Sequence, residues 1–365
     1  MKKLIFVALF FAIMLISCGN GTDPEADITS VNISTNWLAM TDSETKAISA
    51  TAFDGAAQVS ATFSWSSSNE SAATVSNGIV TGRGAGTALI TASCGDIVSE
   101  PCTVFVADEW IVYSSSEGLR MITPENTRDM AIPGTFAAKG PLLWRDDGVV
   151  YAAKAQFTFS YLYFRPFDGS ESEFVFSGLI EPIYDLRESP TGRILMTKYL
   201  AYAMFSFPSA ENLGSNINEY VDFVMSNVDI REFDVAPSGG YFIDATTHTG
   251  PRMIFISSTG APGDTLLLSN GKCPRFSPDG SRIAYGSTGR LWVADATTLE
   301  KSELLSEGSS IDGLSWSPDG ARIAMCVRNT LGNYELWLGD AATGAKQKLT
   351  SAQSSDEKFF PQWLD

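Results

Sequence analysis

Short apolar runs separated by polar turns follow one another along the chain from residue 28 onwards. In the runs at 47–53, 61–65 and 87–92, apolar and polar residues alternate, which is typical of strands with one buried and one solvent-facing side. Glycine, asparagine and serine mark the turns between the runs. The pattern therefore predicts an all-β protein, and a length of 365 residues with 44% hydrophobic residues predicts two domains with substantial cores.

One phrase occurs twice in the C-terminal half of the chain. Residues 276–280 (FSPDG) are followed, after one intervening residue, by the sequence R-I-A. Residues 316–320 (WSPDG) are followed by R-I-A in the same way, 40 residues later. Propeller blades repeat about every 40 to 50 residues. Proline fixes φ, aspartate bonds nearby backbone and glycine accepts a positive φ, so the phrase predicts a tight turn between strands. Residues 291–295 (LWVAD) then match residues 336–340 (LWLGD), with five more residues before the second tryptophan.

Degenerate copies of this turn lie upstream and extend the repeat. Each copy ends in a glycine, and successive glycines are 44, 47, 41 and 40 residues apart. With the two clear copies included, these glycines are Gly148, Gly192, Gly239, Gly280 and Gly320. They predict five blades. Residues 110–133 hold three strand-like runs without a leading one, and residues 359–363 (FFPQW) look like the start of another repeat. We therefore expect both ends of the chain to complete a sixth blade, which closes the ring and hides its edge strands.

The segment before the repeats has denser strands and a different signature. Residues 63–69 (FSWSSSN), 73–82 (ATVSNGIVTG) and 86–92 (GTALITA) closely resemble the bacterial immunoglobulin-like group 2 domain. The resemblance implies a β-sandwich without catalytic residues, of a kind that serves as a spacer or an adhesive module. Trp65 is expected in its core, and Asn77 with Gly78 suits a hairpin turn that needs positive φ. We interpret this domain as a stalk.

The repeats at 272–350 resemble those of TolB-like six-bladed propellers, whose WD-like repeat reads aromatic, S-P-D-G, then I-A. The resemblance is specific over these residues and weak over 109–270. It implies a scaffold for binding proteins or ligands in the cell envelope. The immunoglobulin-like domain departs from that family, because TolB carries a different N-terminal domain.

The N-terminus has the pattern of an export signal. Residues 1–17 combine two lysines with an apolar run too short to span a bilayer, and they end in L-I-S before Cys18 and Gly19. This boundary resembles a bacterial lipobox, which implies lipid attachment at Cys18 and anchoring to a membrane without spanning it. A soluble export signal with a chance cysteine is the alternative. Residues 18–27 are polar and aperiodic and are interpreted as a flexible tether.

Charge and cysteines narrow the picture further. The formal net charge is −17, and loss of residues 1–17 with their two lysines would make it −19, so nucleic acid is an unsuitable partner. Cys94 and Cys102 flank a short polar segment between two strand-like runs, which favours a disulfide that clips a hairpin. Cys273 and Cys326 lie on different repeats in apolar contexts and are expected to be buried thiols.

Chemistry-bearing motifs are sparse. The single histidine, His248, lies in a polar turn and is expected to be a surface residue, and the sequence contains no H-E-x-x-H motif, P-loop or Ca²⁺ loop. Asp279 and Asp319 belong to repeated turns that point outward from separate hairpins, so we interpret them as structural. Asp295 and Asp340, at the ends of third strands, are interpreted in the same way. No catalytic residue, cofactor or metal ligand is assigned.

These observations predict an all-β protein with a small immunoglobulin-like β-sandwich followed by a six-bladed β-propeller closed by the C-terminal strand. The favoured function is non-enzymatic binding of an envelope or extracellular protein or glycan, by a membrane-anchored lipoprotein facing the periplasm or the cell exterior. The second interpretation is a metal-dependent hydrolase or lyase with its site in the propeller channel, where six-bladed hydrolases of the lactonase type hold Ca²⁺. The third is an adhesin acting through its first domain. The expected segments are a signal peptide at 1–17, a tether at 18–27, the sandwich at 28–107 and the propeller at 108–365.

Overall fold

The computed structural model describes residues 27–145, 148–154, 160–166, 173–179, 183–188, 194–198, 203–207, 222–226, 230–239, 241–246, 253–258, 261–308, 310–350 and 360–364. The regular secondary structure of these residues consists of 35 β-strands. Among them, no helix is both long and apolar enough to cross a bilayer. The expected signal peptide, Cys18 and His248 lie outside the described residues.

The first domain contains three small sheets. Its strands are β1 (Ser30–Ile33), β2 (Trp37–Met40), β3 (Thr45–Ala47), β4 (Ala50–Asp54), β5 (Ala57–Val59), β6 (Ser64–Ser67), β7 (Ala73–Ser76), β8 (Ile79–Gly82), β9 (Gly86–Cys94), β10 (Ile97–Val98) and β11 (Cys102–Val106). Two of the sheets have the orders β1-β4-β5 and β3-β8-β7. In the third, β9 pairs with β6 on one side and with β10 and then β11 on the other, and β11 pairs with β2. All neighbours are antiparallel except β11 and β2, which are parallel.

The core of this domain follows the alternation of its strands. Val80, Ile90 and Val104 are fully buried, and Trp65 packs against the same cluster from a half-buried position. The β7–β8 turn has φ of 48° at Asn77 and 78° at Gly78, the conformation expected from the sequence. An alanine side chain at position 78 would meet the Ile48 carbonyl oxygen at 2.4 Å, so both the turn and the packing require glycine there.

The disulfide expected between Cys94 and Cys102 is not formed, and both thiols are free. The two cysteines lie on a hairpin whose returning chain, β10 followed by β11, pairs with one side of β9, while β6 pairs with the other side. Cys102 lies opposite Ile90, four residues from Cys94 along β9, which is about 13 Å. A disulfide needs Cα atoms within about 7 Å of each other. The predicted disulfide was therefore wrong, because Cys94 lies beside the turn, opposite Ile97, and Cys102 lies further along the hairpin, opposite Ile90. Cys102 is a core residue, and burial raises the pKa of its thiol to about 12.

The second domain is built from four-stranded antiparallel sheets, which we number as blades in chain order. Blade 1 holds β15 (Ala138–Arg145), β16 (Gly148–Lys154), β17 (Ser160–Pro166) and β18 (Glu173–Leu179); blade 2 holds β19 (Ile183–Glu188), β20 (Ile194–Lys198), β21 (Ala203–Phe207) and β22 (Asp222–Ser226); blade 3 holds β23 (Ile230–Val235), β24 (Tyr241–Thr246), β25 (Met253–Ser258) and β26 (Ala261–Asn270). Blade 4 holds β27 (Lys272–Phe276), β28 (Arg282–Ser287), β29 (Arg290–Asp295) and β30 (Lys301–Ser306); blade 5 holds β31 (Ser310–Trp316), β32 (Arg322–Arg328), β33 (Tyr334–Asp340) and β34 (Lys346–Lys348).

A further blade, the closing blade, joins the two ends of the domain. Its order is β14 (Asp129–Ala131), β13 (Gly118–Ile122), β12 (Ile111–Ser115) and β35 (Gln362–Trp363), so the last strand of the chain becomes its innermost strand. The first strand of each of the five other blades contacts the first strand of the next blade in chain order, and β35 contacts both β31 and β15. Within the described residues the ring is thus closed with six blades. The expected fold, including closure by the C-terminal strand, is confirmed.

The S-P-D-G phrases form the turns between first and second strands in blades 4 and 5. Gly280 and Gly320 have φ of 72° and 67°, and the amide of Gly280 donates to the Ser277 carbonyl at 2.8 Å. The Asp279 carboxylate accepts bonds from the Ser277 hydroxyl at 2.5 Å and the Ser281 amide at 3.0 Å, which lower its pKa to about 2. The interpretation of Asp279 as a structural turn residue is confirmed.

The arginine after each phrase joins consecutive blades. Arg282 lies over the Trp316 ring at 4.7 Å and donates to the Gly320 carbonyl of the next turn at 2.7 Å. Arg322 lies over the Trp363 ring at 5.0 Å and pairs with Glu109 in the segment between the domains. The turns therefore stand side by side on one face of the propeller, which we call the signature face. The opposite face, with the turns between second and third strands, is the far face.

The first domain is docked on the signature face. Trp37 and Ala39 belong to a propeller core cluster with Trp110, whereas Leu38 and Met40 belong to the core of the sandwich. All four residues of β2 are consequently buried, which is unusual for a strand at the edge of a small sheet. The strand therefore forms a wall that the two domains share.

Polar contacts fix the same interface. The indole of Trp110 donates to the Met40 carbonyl at 3.2 Å, and Arg128 donates to the Gly86 carbonyl at 2.7 Å and to the Thr87 hydroxyl at 3.0 Å. Trp110 directly precedes β12, the second strand of the closing blade, and Arg128 directly precedes β14, its fourth strand. Second and fourth strands both begin on the signature face, so both residues lie there. The first domain is thus an attached part of the propeller, which corrects its interpretation as a stalk.

Candidate functional site

The first strands of the blades surround the central channel, and one position of the repeat recurs around it. This position, which we call the ring position, directly precedes the place that the aromatic residue takes in the S-P-D-G phrase. In chain order its residues are Leu143, Arg187, Asp234, Arg275, Ser315 and Gln362. Three of its side chains accept a bond from the backbone amide of the next blade. The pairs are Phe276 to Asp234 at 2.8 Å, Trp363 to Ser315 at 2.9 Å and Trp144 to Gln362 at 2.8 Å.

A buried ionic network crosses blades 2, 3 and 4 at the same level. Arg275 donates to Asp185 at 2.9 Å and to the Phe233 carbonyl at 2.9 Å, and Arg187 lies 3.1 Å from the other Asp185 oxygen. The Phe233 amide also donates to Asp185, at 3.2 Å. Only 2% of the Asp185 side chain is exposed, so its charge is compensated inside the protein. The network thus ties three blades together.

Asp234 has an unusual environment within this network. The Nε atom of Arg187 lies 3.9 Å from its carboxylate, and only 17% of its side chain reaches solvent. Burial raises the pKa of Asp234 to about 6, although Arg187 and the Phe276 amide act in the opposite direction and Asp185 adds to the rise. Its carboxylate therefore takes up a proton under mildly acidic conditions.

Replacement of Asp234 by Asn is expected to change how stability depends on pH. The folded pKa is raised above the ordinary value, so the native protein holds more protons between about pH 4 and 6. Wild-type protein should therefore lose stability relative to Asp234→Asn as pH rises through that window, by at most about 3 kcal/mol. Urea unfolding at several pH values measures this difference.

Asp279→Asn is the matched control, because the pKa of Asp279 is lowered to about 2 and its contribution changes below pH 4. A constant difference between wild type and Asp234→Asn from pH 4 to 7 would contradict the expectation.

A second polar group lies where the first strands of blades 4 and 5 begin. The ammonium of Lys272 contacts both the Ser310 hydroxyl and the Asp312 carboxylate, and Ser310 also donates to Asp312 at 2.8 Å. A serine beside a lysine can form a nucleophilic pair when the amine is neutral. Here the Lys272 side chain is paired with the Asp312 carboxylate. The group is therefore an ion pair between blades.

The channel side chains mainly hold blades together. Asp185, Asp234 and Asp312 each face an arginine, a lysine or a backbone amide. In the part of the chain that the structure describes, no three or more His, Cys, Asp or Glu side chains are grouped as metal ligands. The carboxylates seen here join neighbouring blades.

Sequence reasoning placed some of these residues and missed others. Asp279 and Asp319 lie on separate turns, as expected, and Cys273 and Cys326 are buried thiols. The ring position was missed because no local motif marks it. Aligning the repeats on their turns would have found it, because Arg187, Asp234 and Arg275 then fall in one column with alternating charge.

Comparisons with known proteins agree with this two-part architecture. Residues 27–104 match the family of the bacterial Ig-like domain, group 2. No curated protein sequence matches the chain. The first domain therefore belongs to this bacterial immunoglobulin-like family, and the solved structures similar to the chain include TolB proteins.

Three solved structures illustrate the likeness. A chain of a nidogen/laminin complex aligns with a TM-score of 0.55 at 10% identity, covering 70% of this chain and 98% of that one. TolB from Acinetobacter baumannii aligns with a TM-score of 0.47 at 14% identity, covering 69% and 81%. A putative 6-phosphogluconolactonase from Bacteroides uniformis aligns with a TM-score of 0.47 at 11% identity, covering 71% and 100%. At these identities the likeness concerns the fold.

Proposed function

We propose that this protein is an exported, lipid-anchored scaffold of the bacterial envelope or cell surface, which binds a protein or glycan through the far face of its propeller. The observation that carries the proposal is the docking of the immunoglobulin-like domain on the signature face through Trp110 and Arg128. One face of the propeller is thereby occupied within the chain, and the far face is left for a partner. Loops of six blades then surround one channel mouth on a rigid support.

The exposed apolar residues of the propeller support this assignment. Among the described residues of the propeller, the large hydrophobic side chains that are exposed are Phe136, at 54%, and Leu331, at 83%. Phe136 lies between β14, the fourth strand of the closing blade, and β15, the first strand of blade 1. Leu331 lies between β32 and β33, the second and third strands of blade 5. Both connections belong to the far face. Exposed anchors on the side remote from the docked domain favour recognition there.

Membrane anchoring is the part of the proposal that rests on sequence. Replacement of Cys18 by Ser is expected to abolish incorporation of labelled fatty acid and to move the protein from the membrane to the soluble fraction. Cys94→Ser is the control, because Cys94 lies in the sandwich at a half-buried site. Unchanged labelling in Cys18→Ser would remove anchoring from the proposal and leave a soluble exported scaffold.

Blocking one face at a time tests where the partner binds. The exposed residue Glu117 lies on the far face and Thr297 on the signature face, so each is replaced by Cys, biotinylated and covered with streptavidin. The full-length protein is then used for affinity capture from detergent-solubilised envelopes, with excess untagged protein as competitor. We expect a saturable partner that is lost when Glu117→Cys is blocked and kept when Thr297→Cys is blocked. Absence of a competed partner, or equal capture in both, would refute the far-face proposal.

A further inference from the structure

The hairpin that joins β32 to β33 in blade 5 projects beyond its counterpart in blade 4. In blade 4 a two-residue turn, Thr288 with Gly289, joins strands of six residues. In blade 5 the strands have seven residues each, and a five-residue loop, residues 329–333, joins them. The five extra residues seen in the sequence are therefore one in each strand and three in the loop. The loop stands further out on the far face.

This loop is held in one conformation by its own polar groups. The Asn329 side chain accepts bonds from the amides of Leu331 and Asn333, both at 3.0 Å, and the Gly332 amide donates to the Asn329 carbonyl at 3.0 Å. Gly332 has φ of 88°, which favours glycine, and Arg328 donates to its carbonyl at 3.1 Å. A loop that is ordered before binding loses little conformational entropy in a complex.

The tip of the loop is apolar, and the residues at its base are an arginine and a tyrosine, two residue types that are common in protein interfaces. Leu331 is 83% exposed at the tip, and Arg328 lies over the Tyr334 ring at 5.8 Å beneath it. A single exposed leucine on a flexible loop is ordinary. Here the leucine is held outward on a fixed, lengthened hairpin, above an arginine and a tyrosine, residue types enriched where interfaces derive their affinity.

We propose that the hairpin of residues 328–334 is a knob that inserts Leu331 into an apolar socket on a partner protein. A convex aliphatic tip offers no flat aromatic ring for a sugar to stack on, and the net charge of −17 opposes nucleic acid. A protein surface supplies a concave apolar socket of this size, with polar groups at its rim for Arg328 and Tyr334. This inference rests on the proposed function and names the anchor and the class of partner on the far face.

Photo-crosslinking in living cells tests the knob directly. A benzophenone amino acid replaces the exposed Thr330 in the full-length protein, next to the tip. We expect a discrete crosslinked protein adduct on irradiation, reduced roughly tenfold by Leu331→Asp and retained in Leu331→Met. The same photoreactive residue at Thr297, on the signature face, is the matched control and should give no such adduct. Equal melting temperatures of the Leu331 variants verify that they fold.

The outcomes separate the knob from the proposed function. An adduct that depends on Leu331 supports the knob. An adduct that Leu331→Asp leaves unchanged overturns it. If Thr330 gives no protein adduct while far-face blocking still prevents capture, the knob is wrong and the far-face scaffold stands. If blocking also has no effect, both are wrong.

Discussion

A chain that lacks residues 357–365 is expected to lose the folded propeller rather than one strand of it. Trp363 is 4% exposed and Leu364 is 8% exposed, in two different core clusters. Removal of a buried tryptophan costs about 3–5 kcal/mol and of a buried leucine about 2–5 kcal/mol. Together these losses approach the entire stability of a typical domain, about 5–15 kcal/mol.

Hydrogen bonds of the last strand add to this effect. The Gln362 side chain accepts a hydrogen bond from the Trp144 amide of blade 1, and the Trp363 amide donates to the Ser315 hydroxyl of blade 5. The Leu364 amide donates to the Trp110 carbonyl at 3.0 Å. Thermal melting by circular dichroism measures the result, and we expect no cooperative transition where the intact protein melts. Removal of Asp365 alone is the control. A truncated chain that melts like the intact protein would disprove the need for ring closure.

Replacement of Trp110 by Ala is expected to destabilise both domains together by about 3–5 kcal/mol. Trp110 is 1% exposed, packs in the cluster that contains Trp37 and donates its indole proton to Met40. Trp110→Phe keeps most of the ring and leaves the Met40 carbonyl without this donor, so a cost of about 1–3 kcal/mol is expected. Urea unfolding followed by fluorescence and circular dichroism measures both variants.

The control for this prediction is Val98→Ala, because Val98 is 59% exposed on the sandwich and its loss should change stability by less than about 0.5 kcal/mol. Coincident transitions in the two spectroscopic signals are expected for every variant, since the shared cluster couples the domains. Two separate transitions in the wild type, with only one shifted by Trp110→Ala, would contradict this coupling.

The turns of the propeller could be predicted from sequence because each one is specified locally. The phrase at 276–280 contains the residues that its φ angles and hydrogen bonds require, and the fragment at 359–363 repeats its aromatic position. The ring of blades follows from counting such turns. The ring position could be inferred only by aligning repeats, because Arg187 and Asp234 interact across blades and carry no signal in their own strands.

Two features depend on strand register and on the packing of the domains, which spacing along the sequence does not determine. The Cys94–Cys102 disulfide was expected from proximity in sequence, but the register of the hairpin places Cys94 opposite Ile97 and Cys102 opposite Ile90. The docking of the domains had one local sign. Residues 37–40 (WLAM) are continuously apolar, which indicates burial on both sides rather than the alternation of a half-exposed strand.

The double burial of β2 limits how this protein could be recombined. Trp37 and Ala39 match the surface of this propeller, and Leu38 and Met40 match the interior of this sandwich. Transplanted onto a different protein, the immunoglobulin-like domain would display Trp37 as an uncovered apolar patch and become prone to self-association. Conversely, another domain of the same family grafted here would need a tryptophan at the same place in its second strand. The two halves are therefore not interchangeable parts, and chimaeras should be cut before residue 28 rather than between the domains.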